Sequence, residues 1–170
     1  TFMENFSIEE CEKIINTYSS LEGKRANSSR LGVKDSTINY TSRVIENNSS
    51  TKWIFDKFDN YLELQENLKI TRQLDVINFF HYHEGDQFSK HKDIYYTDQS
   101  FNVGVNLTDD YKGGEFKLYN PDISVGEKRG EMYSFYHTRE HEITKIEKGD
   151  RYSLIGFYYY SNTDQKRQLI

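Results

Sequence analysis

Apolar residues recur along this chain with two different periods, and the change from one to the other divides it. Ser7 followed by Glu10 makes a capping box, after which Ile8, Cys11, Ile14, Ile15 and Tyr18 return at helical spacing, predicting a first helix over about residues 8–20. A second helical pattern follows Ser49-Ser50-Thr51, with Trp53, Ile54, Phe58, Tyr61 and Leu62 along one side. Both helices are amphipathic and should cover one side of a sheet. Between them, Gly23 to Ser36 is polar and reads as a long loop leading into a strand over Ile38 to Ile45.

From residue 73 the period is two. Leu74, Val76, Asn78, Phe80 and Tyr82 alternate against Asp75, Ile77, Phe79 and His81. Phe101, Val103, Val105 and Leu107 then alternate with Asn102, Gly104 and Asn106, and Asp109 to Gly114 reads as a turn before a strand over 115–119. Gly126 and Gly130 bracket another turn, and strands follow over 131–136, 141–146 and 151–160. About eight short strands at this spacing predict a mainly β (α+β) protein built as a jelly-roll sandwich or barrel. A length of 170 residues without repeats or a linker predicts a single domain, with about 1–70 as a helical support region and about 71–162 as the β core.

Composition sharpens this picture. Tyr and Phe supply 14 and 11 residues, so burial relies on large rings packed on sheet faces. A net charge of −5 offers no general attraction to phosphate backbones, and nucleic acid is not an expected partner. The single cysteine, Cys11, falls on an apolar stripe and has no second cysteine to pair with, which fits a reducing compartment. No run approaches a membrane span and no signal-peptide pattern opens the chain, so a cytoplasmic location without a membrane partner is expected. Beginning at Thr1 without an initiator Met, it reads as a trimmed chain.

The candidate chemistry lies on the strands. His91 and Asp93 are two apart, so on an extended segment both side chains leave one face; His141 follows on a strand predicted to lie across the barrel. Two imidazoles and one carboxylate arranged facially leave coordination positions open, the pattern of oxygen-activating Fe(II) rather than of a closed structural site. The bland alternative is three polar residues at strand ends meeting solvent. Arg151 and Ser153 share a face on the last strand, where a guanidinium fork and a hydroxyl would grip a carboxylate; the alternative is a surface ion pair and a sheet-edge hydrogen bond. His81 and His83 make a rival same-face metal pair, lacking a correctly spaced downstream glutamate and histidine. His137 reads as a loop or strand-end residue, and Glu142 points away from its neighbour His141. Phe157 to Tyr160 reads as core packing, and Asp109 to Gly114 lacks the ligand spacing of a calcium loop.

The order Tyr82-His83-Glu84-Gly85, His91-x-Asp93, Gly113-Gly114-Glu115, Gly130, His141-Glu142-Ile143 and Gly149-Asp150-Arg151-Tyr152-Ser153-Leu154 resembles the prolyl 4-hydroxylase-like branch of the Fe(II)/2-oxoglutarate-dependent dioxygenases. Phe6-Ser7-Ile8-Glu9-Glu10-Cys11 is similar to that branch as well. The resemblance implies a double-stranded β-helix with N-terminal helices on its major sheet. It implies Fe(II) on His91, Asp93 and His141, and 2-oxoglutarate reaching Arg151, with Ser153, Tyr82 and Asn106 facing the co-substrate. It further implies O2 as oxidant and ascorbate as an accessory reductant, with release of succinate and CO2 and hydroxylation of a C–H bond. Collagen-type relatives carry Lys where this chain has Arg151, while oxygen-sensing relatives carry Arg; the carboxylate of Asp93 matches hydroxylases rather than halogenases. The favoured substrate is a prolyl residue in a peptide or protein, with a free amino acid or small metabolite as the alternative. Specificity should reside in Ile94 to Ser100 and Gly23 to Asn39. A non-catalytic metal- or ligand-binding jelly roll, or a purely structural sandwich, remains the rival from another class. Oligomeric state is not written in the sequence.

Overall fold

The computed structural model describes residues 5–26, 38–66, 70–72, 75–93 and 100–160. The capping box closes as its residue types require: the Glu10 amide donates to Ser7 Oγ (3.1 Å) and the Ser7 amide to Glu10 Oε1 (2.9 Å), starting α1 (Ile8–Tyr18). The chain continues through β1 (Lys24–Ala26) and β2 (Tyr40–Glu46) to a turn in which Asn48 Oδ1 accepts the Ser50 and Thr51 amides, and so enters α2 (Lys52–Glu66). There follow β3 (Ile70–Arg72), β4 (Val76–Tyr82), β5 (Phe88–His91), β6 (Ser100–Asn106), β7 (Lys112–Gly113), β8 (Phe116–Leu118) and β9 (Ile123–Val125). The last four are β10 (Met132–Tyr136), β11 (His141–Ile143), β12 (Ile146–Lys148) and β13 (Arg151–Tyr160).

A major sheet runs β1-β2-β4-β13-β6-β10 with β3 also on β13; β5-β11-β8-β9 form the minor sheet and β12-β7 a small third one. The period-two pattern explains the layering. Ile77, Phe79, Val103, Val105, Leu154 and Tyr158 leave one face of the major sheet and pack with Cys11, Ile14, Ile54, Phe55, Phe58 and Leu62 of the two helices. The other face sends Tyr82, Tyr133 and Phe135 against Phe116, Leu118 and Ile143 of the minor sheet. The fold is the double-stranded β-helix with helices on its major sheet that the sequence pattern and resemblance led one to expect. Cys11 is fully buried, and burial pushes its thiol up to about 11.

Several short strands were not foreseen. β1, β3, β5, β7 and β9 have two to four residues each, too few to display a period, and exist through backbone pairing. β1 falls within the segment expected to be a loop, and β1 and β2 make the first part of the chain a contributor to the major sheet as well as to its helical cover. The predicted strand 141–146 breaks into β11 and β12 because its backbone changes partners: Thr144 N donates to Glu115 O, and Ile146 N donates to Asp86 O. The turn expected over Asp109 to Gly114 contains β7, which pairs with β12. Gly113 there has φ +71, and a Cβ on it would sit 2.1 Å from Lys145 O, so only glycine fits. Two segments expected to set specificity fall largely outside the described residues, at 27–37 and 94–99. Among the described residues, no helix is long and apolar enough to cross a membrane.

A polar clasp locks β1 to the turn after β4. Arg25 Nη1 donates to Asp86 Oδ2 (2.6 Å), its Nη2 bonds the other carboxylate oxygen, and the His83 amide donates to Oδ2 (2.8 Å). Burial pushes the Asp86 carboxyl up, but Arg25 and the His83 amide outweigh this and hold it below 3.8. A depressed folded pKa means the stabilisation is complete above the unfolded value and fades as pH falls below about 3.8 and through the lower folded value. Asp86→Asn should therefore cost about 1–3 kcal/mol at pH 7, and the difference from wild type should vanish at the acid end of a denaturant titration series. An unchanged midpoint at pH 7 would show the clasp to be idle.

Candidate active site

Antiparallel pairing of β5 with β11 sets His91 directly opposite His141, which places both imidazoles on one face at one end of the minor sheet. Their rings lie 4.2 Å apart between centroids. Each uses Nδ1 in the same way, at 2.7 Å from Ser89 O for His91 and 2.8 Å from Arg139 O for His141. A carbonyl can only accept, so Nδ1 carries the proton and Nε2 presents its lone pair. Both Nε2 atoms turn to Asp93, at 3.3 Å from Oδ1 for His91 and 3.5 Å from Oδ2 for His141, and a ligand atom from each of the three residues lies within 4.8 Å of the others. Two neutral imidazole lone pairs aimed at a carboxylate repel it unless a cation or added protons stand between them. One dication answers all three donors at once.

Asp93 is positioned from behind. Its amide donates to His137 O (3.1 Å), and Asn102 Nδ2 on β6 donates to Asp93 Oδ2 (2.6 Å). Burial raises the Asp93 carboxyl, but without a cation it is added protons on His91 and His141, together with the Asn102 amide, that hold it below the ordinary carboxylate range.

The three residues open onto a cavity of about 240 Å³ walled by Tyr40, Phe80, Tyr82, Phe88, Phe135 and Ser153, among others. Behind the wall sits Arg151, fully buried, its guanidinium over the rings of Tyr82 (5.8 Å to the centroid) and Phe116 (6.0 Å). None of its three side-chain nitrogens makes a hydrogen bond of ordinary geometry among the described residues, although the Tyr111 and Tyr133 hydroxyls stand near it, and the buried hydroxyl of Ser153 lacks a partner too. A buried guanidinium without an anion is among the most costly arrangements a protein interior contains. Here the unanswered donors face the same interior: Arg151 pairs across strands with Tyr82, and Ser153 lies two residues along the same face. The donor set matches one carboxylate.

Residues 77–159, which hold His91, Asp93, Asn102, His141, Arg151 and Ser153, match the family model of the 2OG-Fe(II) oxygenase superfamily. Those residues belong to the 2OG-Fe(II) oxygenase superfamily. Solved structures agree on the fold. An oxidoreductase of the 2OG-Fe(II) oxygenase family from Burkholderia pseudomallei superposes with a TM-score of 0.70 at 16% identity, covering 92% of this chain and 82% of that one. A prolyl hydroxylase from Trichoplax adhaerens, in complex with a hypoxia inducible factor oxygen degradation domain peptide fragment, gives 0.69 at 16%, covering 93% and 78%. A prolyl-4-hydroxylase from Pseudomonas putida gives 0.66 at 14%, covering 91% and 86%. No curated protein sequence matches the chain.

Membership implies Fe(II) as metal, with 2-oxoglutarate and O2 as co-substrates, and the residues fit both groups. The His91, Asp93 and His141 donors suit the iron, and the unpartnered Arg151 and Ser153 suit the distal carboxylate of the acid. Of the residues expected around that acid, Tyr82 lines the cavity, and burial raises its phenol well above the usual range, so it stays protonated. Asn106 does not line the cavity. It lies across from Ser153, where Nδ2 donates to Gly126 O (2.8 Å) and to the Tyr111 hydroxyl (2.8 Å). Phe157, expected in the core, lines the cavity instead, while Tyr158 packs under the helices.

Two residues escaped the sequence reading. Asn102 was read only as one of the residues alternating with Phe101, Val103 and Val105, since its partner Asp93 is fixed only by the fold. Tyr133 reaches the Arg151 neighbourhood because its cross-strand partner is Gly104, where a Cβ would lie 2.5 Å from the Tyr133 ring. A glycine inside an otherwise apolar strand was the available signal of such a close approach.

Proposed function

We propose that this chain acts as one oxygenase domain that hydroxylates a prolyl residue of a peptide or protein, with His91, Asp93 and His141 holding Fe(II) and Arg151 with Ser153 holding 2-oxoglutarate. The observation carrying the assignment is the buried, unpartnered guanidinium of Arg151 on the same inner surface as the three converging metal donors. Bound Fe(II) would couple decarboxylation of 2-oxoglutarate by O2 to oxidation of a substrate C–H bond, giving succinate and CO2. The protein's contribution is to orient and to exclude. Backbone carbonyls of Ser89 and Arg139 set the imidazole tautomers, Asn102 fixes the carboxylate, and the aromatic walls keep water from the reacting atoms.

The cavity also bears on the substrate. Besides the three metal donors, its described lining contains no charged side chain, and Tyr40 packs against Phe80 and stacks on Phe88 along one wall. A free amino acid would bring an ammonium and a carboxylate that this lining leaves unanswered, whereas a prolyl ring within a peptide brings only apolar surface. The test supplies Fe(II), 2-oxoglutarate and ascorbate with a panel of proline-containing peptides and free amino acids. Peptides should stimulate succinate release and gain one oxygen atom on proline. Stimulation by free amino acids only would transfer the assignment to a small-molecule hydroxylase. Absence of succinate from metal-loaded protein across a broad panel would favour a binding module.

A further inference from the structure

The outer face of the same strand pair carries a second constellation. Tyr82 and Arg151 are cross-strand partners facing inward, so their chain neighbours His81, His83 and Asp150 project outward. His81 Nε2 lies 2.8 Å from Asp150 Oδ1 and His83 Nδ1 lies 3.7 Å from the same oxygen. One ligand atom from each residue falls within 4.8 Å of the other two, as in the inner trio. The rings are held in place: His83 packs on His81 at 3.7 Å between centroids, and Tyr152 stacks on His81 at 4.2 Å. Thr41 Oγ1 stands 3.5 Å from His83 Nε2, which turns Nδ1 of that ring toward Asp150.

We propose that His81, His83 and Asp150 form a second metal site, for a transition-metal dication of the Zn2+ class, on the outer face of the major sheet. A hydrogen bond between Asp150 and His81 accounts for one ring but leaves Nδ1 of the second, aimed at the same oxygen from 3.7 Å, beyond hydrogen-bond reach. Two imidazole nitrogens and a carboxylate suit Zn2+ and its neighbours, while Mg2+ and Ca2+ call for oxygen donors. His83 and Asp150 are about half exposed, so an ion has an entry path and water can complete its coordination. Arg43 opposes a positive ion here, but its guanidinium is engaged by the carbonyls of Ser19 and Leu21. An ion bound there ties the end of β4 to the Gly149-Asp150 turn, the two segments that present Tyr82 and Arg151 inward. Occupancy should therefore raise the thermal midpoint. The site uses none of His91, Asp93 or His141, so it stands or falls independently of the inner assignment.

The inner trio offers the same donor types and would compete for Zn2+, so the test removes it. With untagged full chain, calorimetric titration of Zn2+ should give about two equivalents for wild type and about one for Asp93→Ala. Adding His83→Ala or Asp150→Asn to Asp93→Ala should weaken that remaining equivalent about tenfold or more and abolish the Zn2+-dependent rise in melting temperature. In Asp93→Ala, ring signals of His81 and His83 in proton NMR should move with the first equivalent, and those of His137 should not. Should Asp93→Ala fail to fold, the same loss is read in His83→Ala of the wild type, whose count should drop from about two to about one. Asp93→Ala that binds no Zn2+, or Zn2+ affinity indifferent to His83→Ala and Asp150→Asn, would overturn the proposal.

Discussion

Arg151→Met should abolish the response to 2-oxoglutarate and at the same time make the ligand-free protein more stable. Both effects come from one feature, a fully buried guanidinium whose nitrogens make no hydrogen bond of ordinary geometry among the described residues. Replacing a buried charge by an apolar group of similar volume is commonly stabilising by about 1–4 kcal/mol, because the desolvation cost disappears. Truncating one member of a buried charge pair costs about 2–5 kcal/mol of binding, which at about 1.4 kcal/mol per decade is a loss of about 30-fold to 4,000-fold in 2-oxoglutarate affinity. Thermal melts with and without 2-oxoglutarate separate the two. Wild type should be raised by the acid through linkage, and Arg151→Met should start higher and not move. Arg151→Lys keeps the charge but loses the two-pronged fork, so it should retain weakened binding. A variant that binds 2-oxoglutarate as wild type does would remove Arg151 from the site.

Asp93→Ala should have the largest effect on turnover. Substitutions behind a metal ligand weaken such sites about 10–100-fold, so deleting the sole carboxylate of the trio should cost about a thousandfold or more in succinate formation. Asn102→Ala, which releases Asp93 Oδ2 without removing the ligand, belongs in the 10–100-fold range. Anaerobic titration with Fe(II) and 2-oxoglutarate, followed by the weak visible band of the chelate, reads binding apart from turnover. Asp93→Ala should lose the band and Asn102→Ala should need more iron to develop it. Equal bands in wild type and Asp93→Ala would place the iron elsewhere.

Much of this site was legible before any coordinates. His91 and Asp93 share a face by two-residue spacing, and a guanidinium and hydroxyl share the last strand by the same rule. Asn102 and Tyr133 were not, because a side chain's partner across a barrel is not encoded in its own neighbourhood. Asn106 shows the converse: its inward position was readable, but its bonds to Gly126 and Tyr111 depend on a turn and a loop brought to it by the fold. His81 and His83 were recognised as a same-face pair and set aside for want of downstream partners of the expected type. The carboxylate that meets them, Asp150, is 69 residues beyond His81 and arrives through the pairing of β4 with β13.

What the amino-acid order determined by itself is the set of helices and longer strands, the inward and outward faces of each strand, and the residue types available to a metal and an acid. Those follow from periods of 3.6 and two residues, which are properties of a few consecutive positions. Only the tertiary structure decided that Arg151 is buried without a partner, that two imidazoles and Asp93 converge at one end of the barrel, and which short strands exist at all. Register between distant strands is chosen by the burial of whole faces at once, and no local stretch of chain carries that information.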